Sequence, residues 1–176
     1  RAANFRDRNP IFALLRRSKP AEELVGREFN AANVQKLVQM KDAADMVILD
    51  TLLSQQDRFG NIHYLNRWAF LDPASPQSRL KFKKDVSPAE QPHAVQVKQM
   101  ILKDNDCGVA KDNIARGAGL APALRHVDPV VFNSLLELTD LFKRECRSGD
   151  LKLDLNQDAH FSNRTPVTAS CNLDTQ

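Results

Sequence analysis

The sequence has few cysteines and no long apolar run. Cys107, Cys146 and Cys171 lie far apart in a chain of 176 residues, and no CxxC motif occurs. We therefore expect neither a disulfide scaffold nor a zinc knuckle, although one disulfide plus one free thiol stays open, and with it the redox compartment. No apolar run approaches the ~20 residues that a membrane-spanning helix needs, so we expect no membrane span.

Histidine patterns for a zinc site are also missing from the sequence. His93, His126 and His160 are scattered, without an HExxH motif or an i,i+4 pair. His63 falls inside an alternating, strand-like segment, where a histidine is usually structural. We therefore do not expect a histidine-based zinc centre.

The composition is that of one globular domain. Apolar residues make up 42% and charged residues 27%, with nine prolines and six glycines. This excludes disordered, collagenous and coiled-coil proteins. The chain begins with Arg1 and shows no signal peptide, so we interpret it as a fragment or a processed product.

Positive charge is concentrated in residues 1–20, which hold six basic residues and one acid. Such a segment could bind nucleic acid or acidic lipid by releasing counterions. It has no interleaved aromatic platform for stacking bases and no known reading helix, so we expect a solvated basic segment rather than nucleic-acid binding.

Helical signals fill the first third of the chain. Asn9 before Pro10 predicts a capped helix that Pro20 ends, and a second helix is expected over 21–25. Asn30 can cap a third helix. A fourth is expected from about Asp42 to Ser54, apolar nearly all round and therefore buried.

The pattern then changes to strands. Residues 62–71 and 95–102 alternate between apolar and polar side chains, which predicts two strands that pair as an antiparallel hairpin. Residues 72–93 contain four prolines and three lysines and predict a long exposed insertion. The acidic stretch KDNDCG follows the second strand as a turn.

The last part of the chain predicts one more helix and a tail. Asp128 before Pro129 is an N-cap, apolar residues follow at helical spacing, and Ser148 with Gly149 closes the helix. Residues 151–155 alternate as a short strand would. We divide the chain into a basic segment (1–20), one domain (21–155) and a loose polar tail (156–176). The fold class is α+β, predominantly α-helical, with a central β-hairpin.

Acidic residues flank both strands of the predicted hairpin. Asp57 precedes the first strand, with Asn61 in the same loop, and Asp104 and Asp106 follow the second strand. Antiparallel pairing would bring these two loops together. Neighbouring carboxylates repel each other, and a divalent cation relieves the repulsion. Oxygen ligands of this type suit Mg²⁺ or Mn²⁺ with phosphate.

The sequence around these loops resembles a kinase family. A buried helix, then D-R-x-x-N, a hairpin and D-N-x-x-G are similar to the carboxy-terminal lobe of atypical kinases. The stretches DMVILDTLLSQQDRFGNIHYL and MILKDNDCGVA look most like the four-jointed and Golgi casein kinase group of secretory-pathway kinases. They also resemble HipA-like and type II phosphatidylinositol 4-kinases. The resemblance covers roughly residues 42–145 and is sharp only at 46–65 and 99–109.

The resemblance implies a role for each matched residue. Asp57 matches the catalytic aspartate, which orients the acceptor hydroxyl and takes its proton. Asp104 matches the metal-binding aspartate, for which Asp106 is the alternative because D-C-G also fits a D-F-G pattern. Asn61 is the candidate second metal or phosphate ligand, and Arg58 would hold the loop by hydrogen bonds.

The sequence also departs from the family pattern. The family's second polar ligand stands five positions after the catalytic aspartate, where this chain has Ile62. No glycine-rich loop is found, since Gly26 alone precedes Gly60. No lysine–glutamate pair of an amino-terminal lobe can be identified. We therefore expect the 176 residues alone to be inactive, with an amino-terminal lobe upstream or on a partner chain.

The resemblance therefore implies an atypical kinase lobe that uses ATP and Mg²⁺ or Mn²⁺. It would transfer the γ-phosphoryl group to a hydroxyl of a protein, lipid or sugar. The alternative is a non-catalytic, kinase-derived binding module. The resemblance favours a secreted or extracytoplasmic location, although this chain carries no signal peptide.

Overall fold

The computed structural model describes residues 2–53, 55, 58, 60–71, 78–103 and 118–148. Helices and strands follow in the order α1 (Ala2–Arg8), α2 (Pro10–Leu15), α3 (Ala21–Val25), α4 (Ala31–Leu53), β1 (Ile62–Leu71), β2 (Ser78–Lys81), β3 (Ala94–Leu102) and α5 (Pro129–Ser148). The fold is α+β: the described residues contain these helices and one three-stranded antiparallel sheet of order β2-β1-β3.

The predicted hairpin is confirmed. β1 and β3 pair antiparallel from Ile62 opposite Leu102 to Phe70 opposite Ala94. The start of β1 therefore lies beside the end of β3. Asn61 and Lys103, which stand next to these two strand ends, therefore lie opposite each other, with the Lys103 amide donating to the Asn61 carbonyl.

The main core forms around α4. Phe12 and Leu15 of α2 are completely buried, and they pack with Met40, Ala44 and Val47 of α4. Asn9 caps α2 as predicted, because its Oδ1 accepts hydrogen bonds from the amides of Ile11 and Phe12 at 2.9 and 3.0 Å. The basic segment 1–20 thus contributes apolar side chains to the core.

The prediction of separate third and fourth helices is wrong. One continuous helix, α4, runs from Ala31 to Leu53. Asn30 does mark its start, since Asn30 Oδ1 accepts from the Asn33 amide at 2.9 Å. Asp42 gave a false start signal: its side chain bonds another element instead, accepting from the Met100 amide at 2.7 Å. No glycine or proline interrupts residues 31–53.

Residues 72–93, expected as an exposed insertion, contain a third strand. Residues 78–81 pair with the end of β1, Trp68 lying opposite Lys81 and Leu71 opposite Ser78. The prolines do not prevent this, because they fall outside the four paired residues. Two short 3₁₀ turns, Lys83–Asp85 and Gln91–His93, then lead the chain back to β3.

Helix α4 covers the outer edge of β3. Gln35 donates to the Lys98 carbonyl at 2.9 Å and accepts from the Lys98 amide at 2.7 Å. Two turns further along the helix, Asp42 accepts from the Met100 amide. These side chains satisfy backbone groups that would otherwise be open for pairing with another chain.

The chain divides into two compact units, Arg1–Asp128 and Pro129–Gln176. In the second unit, the structure describes α5, which begins at the predicted Pro129 and ends at the predicted Ser148. The expected strand at 151–155 and the tail at 156–176 lie outside the described residues. In the described part of the chain, no helix is long and apolar enough to cross a membrane.

Candidate functional site

A buried ion pair stands at the end of the sheet where β1 begins. The Arg58 guanidinium donates through Nε to both Asp50 carboxylate oxygens, at 2.9 and 3.0 Å, and through Nη2 to Oδ1 at 2.6 Å. The two side chains are only 4% and 7% exposed. Because Asp50 lies in the last turns of α4, the pair ties Arg58 to the main helix.

Arg58 also links the start of β1 to the chain leaving β3. Its Nη1 donates to the Lys103 carbonyl at 3.3 Å, and its own carbonyl accepts from the Asn61 amide at 3.0 Å. The Asn61 carbonyl in turn accepts from the Lys103 amide at 3.0 Å. Arg58, Asn61 and Lys103 therefore form one connected cluster at the end of the sheet.

The chain leaving α4 is held at the same place. Gln55 is buried, and its backbone N–H donates to the Asp50 backbone carbonyl at 3.2 Å. One turn earlier, the Thr51 hydroxyl donates to the Val47 carbonyl at 2.6 Å. A buried glutamine needs hydrogen-bond partners, so this position fixes how the chain turns away from the helix.

The predicted site residues divide into two groups. Asp57, Asp104 and Asp106 lie outside the described residues, so their predicted roles stay predictions. Asn61 and Arg58 lie in the cluster just described. The expectation that Arg58 arranges a catalytic loop and that Asn61 binds metal or phosphate also stays a prediction.

The described residues include one predicted metal ligand, Asn61. Within those ranges, no group of three or more histidine, cysteine, aspartate or glutamate residues could hold a metal ion. Asn61 offers an amide oxygen, a donor that fits a hard cation such as Mg²⁺. The carboxylates that the resemblance implies would have to come from the three predicted aspartates.

Two carboxyl groups away from the cluster have shifted pKa values. Burial raises the pKa of Asp42, and the hydrogen bond from the Met100 amide only partly offsets this. The pKa of Glu90 is lowered to about 2, first by its hydrogen bond with Lys81 and then by those from Ser87. Glu90 thus stays ionised, and its hydrogen bonds with Lys81 and Ser87 stabilise the turn before β3.

The opposite end of the hairpin carries a groove of about 870 Å³. Its lining is mostly apolar, from Phe29, Phe70, Leu71 and Pro92, with Arg79 and His93 among its polar groups. No local sequence pattern predicts this groove, because residues distant in sequence form it. It is separate from the Arg58 cluster, since Phe70 and Ala94 pair at the far end of the ladder.

Sequence reasoning missed Asp50 as the partner of Arg58. Asp50 stands in the apolar run that fills the second half of α4. A carboxylate on a buried helix is costly unless a cation pairs with it, so its position was a signal that a partner must exist. The sequence could not identify that partner as Arg58.

Comparisons with known proteins assign no family to this chain. No family model matches it, and no curated protein or solved structure is significantly similar to it.

Proposed function

We propose that this chain is the catalytic lobe of an atypical kinase. One observation carries the proposal: Arg58 and Lys103 share a hydrogen bond, and they are the sequence neighbours of Asp57 and Asp104. The chemistry needs the catalytic and metal-binding carboxylates on adjacent loops, within reach of one phosphate chain.

The proposed reaction moves a γ-phosphoryl group from ATP to a hydroxyl. The bond between the β,γ-bridging oxygen and the γ-phosphorus breaks, a bond forms from the hydroxyl oxygen to that phosphorus, and ADP leaves. Asp57 orients the hydroxyl and accepts its proton. A divalent cation, for which Asp104 and Asn61 are the proposed ligands, would neutralise charge on the phosphates when bound.

The Asp50–Arg58 pair is proposed to keep the catalytic loop in place. An arginine fixed by three hydrogen bonds to a buried carboxylate has little freedom to change rotamer. Its remaining Nη1 donor holds the chain leaving β3. Such support matters because small displacements of a catalytic carboxylate cost large factors in rate.

A second candidate, a non-catalytic kinase-derived binding module, is favoured by Ile62. This residue occupies the fifth position after Asp57, where the family has a polar ligand. Ile62 pairs with Leu102 and packs against the main core. An apolar side chain there cannot bind a metal or a phosphate.

ADP release from ATP with Mn²⁺, with water as acceptor, separates the two candidates. Because we expect the 176 residues alone to be inactive, the assay uses this chain together with the amino-terminal lobe expected upstream or on a partner chain. That protein should bind ATP with Mn²⁺ and release ADP, and Asp57→Ala should lower the rate by ~10²-fold or more. Asp85→Ala, which removes an exposed carboxylate from a 3₁₀ turn, serves as the matched control and should keep the parent rate. Binding without ADP release would favour the module, and an unchanged rate in Asp57→Ala would refute the catalytic role.

A further inference from the structure

The two faces of the sheet differ where β1 begins. Ile62 and its partner Leu102 pack against the main core. Successive side chains of a strand lie on opposite faces of a sheet, so Asn61, His63 and Lys103 place theirs on the other face. His63 and Lys103 are exposed, which agrees with a face open to solvent.

Asn61 and Lys103 are direct neighbours on this exposed face. The Lys103 amide donates to the Asn61 carbonyl at 3.0 Å, which continues the β1–β3 register by one pair. Opposite residues of antiparallel strands have Cα atoms about 4.5–5.5 Å apart, and diagonal neighbours such as Lys103 and His63 lie about 7–8 Å apart. A carboxamide, an imidazole and an ammonium group therefore share one small surface, which we call the Lys103 face (Asn61, His63 and Lys103).

The backbone of Lys103 is fixed on both sides. Its amide donates to Asn61, and its carbonyl accepts from Arg58 Nη1 at 3.3 Å. Arg58 is itself held by the buried Asp50 carboxylate. The Lys103 side chain therefore projects from a rigid position, and only its own rotamers are free.

The Lys103 face carries an unneutralised positive charge. Across the described part of the chain, no carboxylate pairs with the Lys103 ammonium, and no residue bonds the His63 ring. A lysine ammonium binds phosphate as a point charge, and imidazole and amide N–H groups donate to phosphate oxygens. These three groups together fit a phosphate better than an apolar anion.

We propose that the Lys103 face binds the triphosphate chain of the nucleotide, with Lys103 as its cationic ligand. This proposal rests on the proposed kinase function, in which Asp104, the residue after Lys103, binds the metal on the same phosphates. In protein kinases a lysine of the amino-terminal lobe contacts the phosphates, and no such lysine can be identified in this sequence. Lys103 supplies that charge from the carboxy-terminal lobe instead.

NMR titration with inorganic tripolyphosphate in EDTA tests the Lys103 face without metal, and so without the metal-binding aspartates. In the 176-residue chain, the backbone amides of Asn61, His63 and Lys103 should shift along one saturation curve. The Kd should rise at least ~10-fold in Lys103→Met and stay near the parent value in Lys103→Arg, because the charge-assisted contact is lost in one and kept in the other. Well-dispersed spectra show that the variants are folded.

Lys98→Met is the matched control. Lys98 is an exposed lysine of the same strand, but its side chain lies on the face opposite Lys103. At about 0.15 M ionic strength, charges more than about 8 Å apart are largely screened, so this variant should keep the parent Kd. A parent that does not bind tripolyphosphate, shifts confined to residues 1–20, or equal Kd values in Lys103→Met and Lys98→Met would overturn the proposal.

Orthophosphate separates a phosphate chain from a single phosphate group. It carries less charge and contacts fewer of the three side chains, so we expect it to bind at least ~10-fold more weakly than tripolyphosphate. Equal binding of the two would assign the face to a phosphorylated acceptor and would overturn the nucleotide assignment.

The phosphate site and the kinase function can fail separately. Tripolyphosphate binding that depends on Lys103, in a protein that releases no ADP when the amino-terminal lobe is present, would support the phosphate site and contradict the kinase function. ADP release at the parent rate in Lys103→Met, together with an unchanged Kd for tripolyphosphate, would contradict the phosphate site alone.

Discussion

Removing Arg58 should strongly destabilise the protein. Arg58→Met leaves the Asp50 carboxylate buried without its cation, and breaking one partner of such a pair typically costs about 3–5 kcal/mol. Since small domains are stable by only ~5–15 kcal/mol, this is a large part of the total. Urea unfolding followed by circular dichroism measures the change directly.

The double variant Asp50→Leu/Arg58→Met separates the cost of an unpaired charge from the contribution of the pair itself. Replacing both partners by apolar side chains avoids a buried charge, so we expect the double variant to recover most of the loss. Lys19→Ala is the control, because the Lys19–Glu23 pair is exposed and 3.6 Å long, and its loss should hardly change stability. An Arg58→Met variant that loses no more unfolding free energy than Lys19→Ala, or a double variant no more stable than Arg58→Met, would contradict this prediction.

Three further predictions concern the edge cover and the titrating carboxyls. Gln35→Ala should cost about 1–2 kcal/mol in urea unfolding and speed amide exchange at Lys98, because two hydrogen bonds to the edge are lost; unchanged exchange would contradict this. Burial raises the pKa of Asp42 in the folded state, so the parent should lose stability relative to Asp42→Asn as the pH rises above 3.8. A difference in unfolding free energy between the two proteins that stays constant with pH would refute this prediction. The Glu90 carboxyl should titrate in NMR with a midpoint near pH 2, and Lys81→Met should move that midpoint toward the ordinary 4.5. A midpoint of 4.5 in the parent would contradict the hydrogen bonds of Glu90 with Lys81 and Ser87.

The sequence predicted elements whose signals are local. Asn9 with Pro10 marked the start of α2, and Pro129 marked that of α5, because caps and first-turn prolines act within a few residues. The alternation in 62–71 and 94–102 likewise predicted both long strands and their pairing. The short strand Ser78–Lys81 was missed because surrounding prolines suggested a loop, whereas pairing with β1 decides its conformation.

The Arg58 cluster could be predicted only in part. The motif drew attention to Arg58 and Asn61, but the partner Asp50 depends on where α4 ends relative to the sheet. Likewise, the Gln35 and Asp42 contacts with β3 join residues about 60 positions apart. Side chains that complete another element's backbone pairing leave no periodic pattern, so sequence reading placed Asp42 at a helix start instead.

The proposed kinase function depends most directly on nucleotide binding through the aspartate after β3. Isothermal titration of ATP in the presence of Mn²⁺ into the full chain, Asp104→Asn and Asp106→Asn measures this binding. We predict a saturable site in the parent, a Kd at least ~10-fold higher for Asp104→Asn, and a smaller change for Asp106→Asn. Failure of the parent to bind, or a parent-like Kd in Asp104→Asn, would contradict the account.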